Sequence, residues 1–183
     1  ILVLGPVIWT IMASFKKGNN LFSSTFSGIE FTFDHYITLF TDTPYMQWYL
    51  NTFILATANM LISLFVVTMT AYVFSRYRFR GKRNTLMSIL VLQMFPAFLS
   101  MTAIYILLSK ANLIDTYTGL LLVYVTGSLP FMTWLVKGYF DAIPTSLDEA
   151  AKIDGAGHLS IFILVIVLLA KPILVFVGLV SFT

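Results

Sequence analysis

Apolar positions in this chain come in long blocks separated by short polar stretches. Residues 53–74, 86–108, 117–136 and 159–182 are nearly unbroken apolar runs. Each approaches or exceeds the roughly 20 residues a helix needs to cross a bilayer. Residues 1–15 form a shorter run that reads as the tail of a first span beginning further upstream, since it lacks the basic start and cleavage site of a signal peptide. The last run also reaches the final residues, so the chain reads as a fragment whose N-terminus and last span are missing. The predicted fold is an all-α, polytopic integral membrane helix bundle. Five spans are visible, the first truncated, in a single transmembrane domain over residues 1–183.

Three of these runs contain helix breakers: Pro96 in the third span, Gly127 with Pro130 in the fourth, and Pro172 in the fifth. A bundle tolerates them because neighbouring groups re-satisfy the freed backbone. They read either as plain kinks or as bends around a central cavity that opens alternately to each side, and both readings can hold together.

The clearest interruption is the polar island at residues 143–157, IPTSLDEAAKIDGAG. Pro144 ends the preceding element. Ser146 with Glu149 three residues on spells a capping box, which predicts a helix start at Ser146 and gives the Glu149 carboxylate a structural task. The helix then runs about eight residues, or roughly 12 Å. Asp148 and Lys152 are spaced for an i,i+4 ion pair. Leu147, Ala150 and Ala151 make a narrow apolar stripe whose small residues admit a close partner. Gly155 supplies the positive φ that stops the helix, and Gly157 is a second pliable point. The island holds no nucleophile beside a base and no pocketed pair of carboxylates. It is a plug to be touched, and no enzyme site.

Composition strengthens the membrane reading. Hydrophobic residues make up 58% and charged residues 10% of the chain, with a mean hydropathy of +0.89. A soluble domain carries about 25% charged residues. With no cysteine there is no disulfide framework and no thiolate metal site. His35 and His158 lie too far apart in sequence to suggest a ligand pair. The net charge of +3 matters less than its placement. Arg76, Arg78, Arg80, Lys82, Arg83, Lys137 and Lys152 fall on one side, and Lys16, Lys17 and Lys110 on the other. That asymmetry puts the island in the cytoplasm. The loop at 16–50 is then outside, and its Phe31, Phe33, Tyr36, Phe40, Tyr45 and Trp48 suit packing on the membrane or on a partner.

Asn59, Gln93 and Lys171 are the clearest polar residues at membrane depth. For Asn59 and Gln93 the two readings are an interhelical hydrogen bond and a contact with a transported substrate. Lys171, beside Pro172, reads as structural, either reaching a freed carbonyl or snorkelling. Aromatics are 16% of the chain. Tyr105, Tyr124 and Trp134 have the ring faces on which sugars stack, but Trp and Tyr also belt the interface of any membrane protein.

Glu149-Ala150-Ala151 followed by Gly155 resembles the EAA loop of bacterial ATP-binding-cassette importer permeases. The flanks extend the likeness. Residues 134–140 (WLVKGYF), 170–174 (AKPIL), 33–36 (FDHY) and 51–53 (NTF) resemble the carbohydrate-uptake permeases, especially the second permease subunit of maltose and maltodextrin importers. One departure is Leu168, which stands where the family usually has Pro. Its presence suggests a straighter, more lipid-like helix over 159–169.

The resemblance implies a cytoplasmic EAA coupling helix seated in a cleft of a separate ATPase subunit. The ATPase-coupling residues would be Leu147, Asp148, Glu149, Ala150, Ala151, Asp154 and Gly155, with Glu149 meeting a basic residue of the ATPase. It implies alternating access in a bacterial cell membrane, a heterodimer with a second permease subunit, an ATPase dimer and an extracytoplasmic solute-binding protein. The substrate would be a sugar, maltose or malto-oligosaccharides or another oligosaccharide, with Asn59, Gln93 and Tyr124 as substrate-pathway candidates. No nucleic-acid partner is expected. The chain has no G-x-x-x-x-G-K-[ST] phosphate loop, so no cofactor is expected here and ATP would be bound by the partner. An ion-gradient-driven secondary transporter is the alternative. It would more naturally carry an acidic residue inside a span, and none of the predicted spans has one.

Overall fold

The computed structural model of the chain describes residues 4–17, 31–94 and 97–183, and these are helical apart from turns and one isolated antiparallel bridge between Lys16 and Phe31. Pro96, the breaker expected in the third span, lies outside the described residues. The chain divides into two compact units, Ile1–Thr52 and Phe53–Thr183.

The first unit holds α1 (Gly5–Ser14), α2 (Asp34–Thr41) and the opening turns of α3 (Tyr45–Arg76). The rings of Phe15, Phe33 and Tyr36 cluster with centroids 5.4–6.4 Å apart. The Ser14 and Tyr36 hydroxyls meet at 2.7 Å. The loop expected at 16–50 therefore contains a helix of its own. α3 also starts a full two turns before residue 53, because Pro44 suits a helix start and its carbonyl accepts from the Gln47 and Trp48 amides.

In the second unit α3 runs on to Arg76 without a Gly or Pro anywhere along its 32 residues. At 1.5 Å per residue that is about 48 Å, well beyond a hydrocarbon core of about 30 Å. α4 (Lys82–Gln93) follows a turn at Gly81, whose φ of +88° favours glycine. α5 (Ala97–Lys110) leads through Asn112 and Asp115, both at positive φ, into α6 (Tyr117–Ala142). The Thr116 side chain caps α6 by accepting from the Gly119 amide at 3.1 Å. Pro130 is carried inside α6. α7 (Thr145–Ile153) is the polar island, and α8 (His158–Ile161), a π-helical stretch (Phe162–Val167) and α9 (Lys171–Phe182) complete the chain.

α3 and α6 are each long and apolar enough to cross a membrane. The helical pair His158–Val167 and Lys171–Phe182 meets the same requirement only together, so the described residues contain two such elements, or up to three. That last pair corrects the expectation of a straight helix over 159–169. The segment is π-wound, and it bends by 82° into α9. Pro172 stands in the first turn of α9, where its missing N–H costs nothing, whereas a helix continued through it would clash with the Leu168 carbonyl.

The core lies where α3, α6 and the bent pair meet. Val67 and Ala71 of α3, Val136 and Phe140 of α6, and Ile166, Ala170 and Val177 of the bent pair are fully buried. Gly178 of α9 lets Leu64 approach so closely that an added Cβ would lie 3.1 Å from Leu64 Cδ1. Small residues serve membrane bundles in this way, since packing rather than water exclusion holds their helices together.

Two glycines of α6 separate local demand from tolerance. A Cβ on Gly119 would stand 2.1 Å from the backbone oxygen of Leu113, while one on Gly127 would meet nothing within 4 Å. Gly119→Ala should lower the thermal unfolding midpoint in detergent, at a cost of about 1–3 kcal/mol. Gly127→Ala should leave it unchanged or raise it, since Ala is the better helix former by about 1 kcal/mol. Equal midpoints for the two variants would contradict this account of the turn.

Candidate functional site

The candidate site is α7 with its mounting. α6 stops at Ala142 because Ile143 precedes a proline and is extended, with φ −77° and ψ 121°. α7 begins at Thr145 with Pro144 in the cap position and no side-chain cap hydrogen bond. The predicted capping box is therefore not formed: Pro144 starts the helix two residues early and places Ser146 inside the first turn. Freed from that task, the exposed Glu149 has no hydrogen bond or ion pair among the described residues.

The stop at the other end is as predicted. Gly155 has φ +85°. The Gly155 amide donates to the Lys152 carbonyl at 3.0 Å, and the Ala156 amide donates to the Ala151 carbonyl at 2.9 Å. These paired bonds are the Schellman arrangement, which satisfies the last carbonyls of a helix.

Asp148 does not pair with Lys152. It is buried, and its Oδ2 lies 2.7 Å from Arg76 Nε, with the two side chains 11% and 8% exposed. The contact is an ion pair by distance without an aligned hydrogen bond, and Asp148 Oδ1 is buried with no hydrogen-bond partner. The long-range partner prevails because Asp148 faces inward, where a desolvated carboxylate needs a cation at hand. The rest of the Arg76 guanidinium closes the end of α6. Nη1 donates to the Phe140 carbonyl at 3.1 Å and Nη2 to the Ile143 carbonyl at 3.0 Å. Next to it the Ser75 hydroxyl donates to Asp141 Oδ1 at 2.7 Å, and the other carboxylate oxygen of Asp141 pairs with Lys137. One arginine at the end of α3 thus holds both the end of α6 and the inner face of α7.

What α7 presents outward follows from its period of about 100° per residue. With Asp148 inward, Ser146, Ala150 and Ile153 lie on the opposite side, and Leu147, Glu149 and Asp154 flank them. All six are exposed. Ile153 is 86% and Leu147 41% exposed. The predicted stripe is thus shifted: Ala151 turns toward the mounting and Ile153 takes its place outside. Sequence reasoning missed Ile153 and Arg76. Helical counting from Ser146, at i+4 to Ala150 and i+7 to Ile153, would have found the first.

Between α7, α8 and the end of α3 lies a cavity of about 400 Å³ lined by Tyr72, Arg76, Tyr77, Asp148, Glu149, Lys152 and His158 among others. The substrate-pathway candidates sit elsewhere. Asn59 is buried and donates from Nδ2 to the Ser181 carbonyl of α9 at 2.6 Å, an interhelical hydrogen bond. Gln93 is exposed at the end of α4, and Tyr124 is exposed on α6. None of the three lines any cavity described here. Trp134 donates from Nε1 to the Leu86 carbonyl at 3.2 Å, and Tyr105 is exposed. Lys171 opens α9 at the rim of an apolar groove it shares with Met60 and Leu64.

The mounting gives a direct test. Removing one member of a buried pair costs about 3–5 kcal/mol because the other charge is stranded. Arg76→Leu should accelerate amide hydrogen exchange in residues 145–156 by roughly a hundredfold or more. The double variant Arg76→Leu with Asp148→Leu should fall closer to the parent, and Lys152→Ala should change little. Exchange that is unaffected in Arg76→Leu would refute the clamp.

Comparison with known proteins places this geometry. Residues 65–183 match the family described as binding-protein-dependent transport system inner membrane component. The maltodextrin transport system permease protein MdxG of Bacillus subtilis is 42% identical over 175 residues, covering 95% of this chain and 63% of that protein. The galactooligosaccharides transport system permease protein GanQ of the same organism is 41% identical, covering 100% of this chain and 66% of that protein. The maltose/maltodextrin transport system permease protein MalG of Vibrio parahaemolyticus is 33% identical, with coverage of 99% and 67%. A crystal structure of a bacterial ABC transporter that imports the acidic polysaccharide alginate superposes with a TM-score of 0.81 at 28% identity, over 98% of this chain and 64% of that one. The chain spans less than two thirds of the length of the two Bacillus relatives. On the match of residues 65–183 and these identities, the chain belongs to the binding-protein-dependent transport system inner membrane component family.

Proposed function

We propose that this chain is a transmembrane permease subunit of an ATP-driven sugar importer, working by alternating access. The observation that carries the reading is α7: a short helix fixed from behind by Arg76, with an outward face of Ser146, Ala150 and Ile153 flanked by Leu147, Glu149 and Asp154. A helix held from one side and bare on the other is suited to pass force and not to do chemistry. In this reading α7 is the EAA coupling helix, and it enters a cleft of a separate ATPase subunit that binds the ATP. Glu149, without a partner among the described residues, meets a basic residue there, and Ala150 permits close seating.

The same reading takes residues 1–183 as one permease domain. α4 and α5 together form its third span, and α1 the remnant of the first, which makes five spans. The working assembly contains a second permease subunit, an ATPase dimer and an extracytoplasmic solute-binding protein, in a bacterial cytoplasmic membrane. Relatives named for maltodextrin and galactooligosaccharide transport support an oligosaccharide as substrate. Asn59, Gln93 and Tyr124 are proposed to lie along the sugar's path. For Asn59 this requires its amide to exchange the Ser181 carbonyl for a sugar hydroxyl.

Vesicles carrying the assembled transporter test the proposal. Oligosaccharide uptake should require internal ATP and the binding protein, and uptake driven by an ion gradient alone would exclude it. Glu149→Lys and Ile153→Asp should each reduce uptake more than about tenfold and weaken co-purification of the ATPase, with unfolding midpoints unchanged, because both side chains are exposed. Gly155→Val should act in the same direction through its positive φ. Normal transport by the Glu149→Lys variant would remove α7 from the mechanism.

A further inference from the structure

The turn between α3 and α4 carries chemistry that force transmission does not use. A groove of about 580 Å³ opens there, and it has two characters. Phe79, Met87 and Trp134 form an apolar wall, and Lys82, Arg83 and Asn84 form a polar, cationic mouth. Trp134 is fixed with its Nε1 on the Leu86 carbonyl and its ring against the groove. A Trp satisfied at one end and apolar over its body belongs at the level of lipid headgroups.

The charge around the mouth is one-sided. Five of the eight residues from Arg76 to Arg83 are Lys or Arg, and no Asp or Glu occurs between Asp42 and Asp115. Two of the five are occupied: Arg76 by Asp148, and Lys82 by the Ser75 and Tyr77 carbonyls. Arg78, Arg80 and Arg83 are exposed and have no partner among the described residues. Of the acids on the neighbouring elements, Asp141 is engaged by Lys137 and Ser75 and Asp148 by Arg76, while Glu149 lines the separate cavity beside α7 together with Arg78.

An apolar track leads away from this mouth. Met87, Leu90, Val91 and Met94, at i, i+3, i+4 and i+7 along α4, are all exposed. That spacing makes one continuous stripe. A cationic mouth, an apolar wall and a stripe running from it along a membrane helix match an amphiphile with an anionic head.

We propose that this groove binds an anionic phospholipid, its phosphate held by Arg83 at the mouth and attracted by the exposed Arg78 and Arg80 of the same turn, with an acyl chain lying along the α4 stripe. Basic clusters directly beside a spanning helix gain affinity from each Lys or Arg near an anionic surface. The site depends on α3 and α6 lying in a membrane and not on which solute the protein carries.

The test is quenching of Trp fluorescence in the full-length protein reconstituted in vesicles containing brominated phosphatidylglycerol or brominated phosphatidylcholine. The parent should show stronger quenching by the anionic lipid, and Trp134→Phe should remove that excess. Arg78→Gln/Arg80→Gln/Arg83→Gln should reduce the anionic preference at least roughly tenfold. The corresponding triple Lys variant should keep most of it. Should the Gln variant fail to fold, the parent in 0.5 M salt supplies the same reading, since a Debye length of about 4 Å screens the exposed arginines and the preference must fall. Inorganic phosphate at millimolar concentration should leave the quenching intact, and displacement by it would mean a free-anion site instead. Equal quenching by the two lipids, or a preference that survives both the Gln substitutions and high salt, overturns the proposal.

Discussion

Everything that projects from the second unit depends on how one guanidinium is placed. Arg76 is the last residue of α3, and it reaches the Phe140 and Ile143 carbonyls and the Asp148 carboxylate from a single position. A planar fork of donors suits this task in a way that a lysine ammonium does not. The carbonyls it meets are those a helix end leaves without internal partners, so the contact offsets a cost that α6 would otherwise bear. The ion pair itself is imperfect, with Arg76 Nε out of hydrogen-bond alignment and Asp148 Oδ1 unpartnered. Desolvation of two such groups offsets most of their attraction. What the pair supplies is position: α7 is held at a defined angle to α3 and α6, and a movement of α7 must be felt by both.

This arrangement explains why the outward face of α7 is so plain. With its inner side committed to Arg76 and its end closed by Gly155, the helix keeps its shape without help from whatever covers it. Its exposed residues are then free to be small or apolar. Ile153, 86% exposed, contributes little to the fold of α7 itself.

The bent C-terminal pair shows a related economy of means. Packing along α3 is maintained on both sides of the 82° bend, through Phe162 on Tyr72 before it, with ring centroids 4.7 Å apart, and Gly178 on Leu64 after it. Between membrane helices there is little water to expel, so close approach and directed hydrogen bonds decide which faces meet. Gly178 against Leu64 provides the first, and Asn59 with the Ser181 carbonyl the second.

Sequence by itself determined the class of this protein and the location of its site. Apolar runs near 20 residues leave helices as the means of crossing lipid, because backbone groups must pair within the segment. Pro144 and Gly155 bracket α7 through local sterics alone, which is why its extent was legible to within two residues. The mounting of α7 was decided only by tertiary structure. Asp148 has a sequence neighbour of opposite charge at i+4 and pairs instead with a residue 72 positions away, because burial and not spacing sets the strength of a charge pair. Glu149 looked occupied by a cap until Pro144 took the cap position, and only the orientation of the inner face showed that Ile153, not Ala151, stands outside. Local rules fix where a helix stops, while the choice among competing partners belongs to whichever one the fold brings into the dry interior.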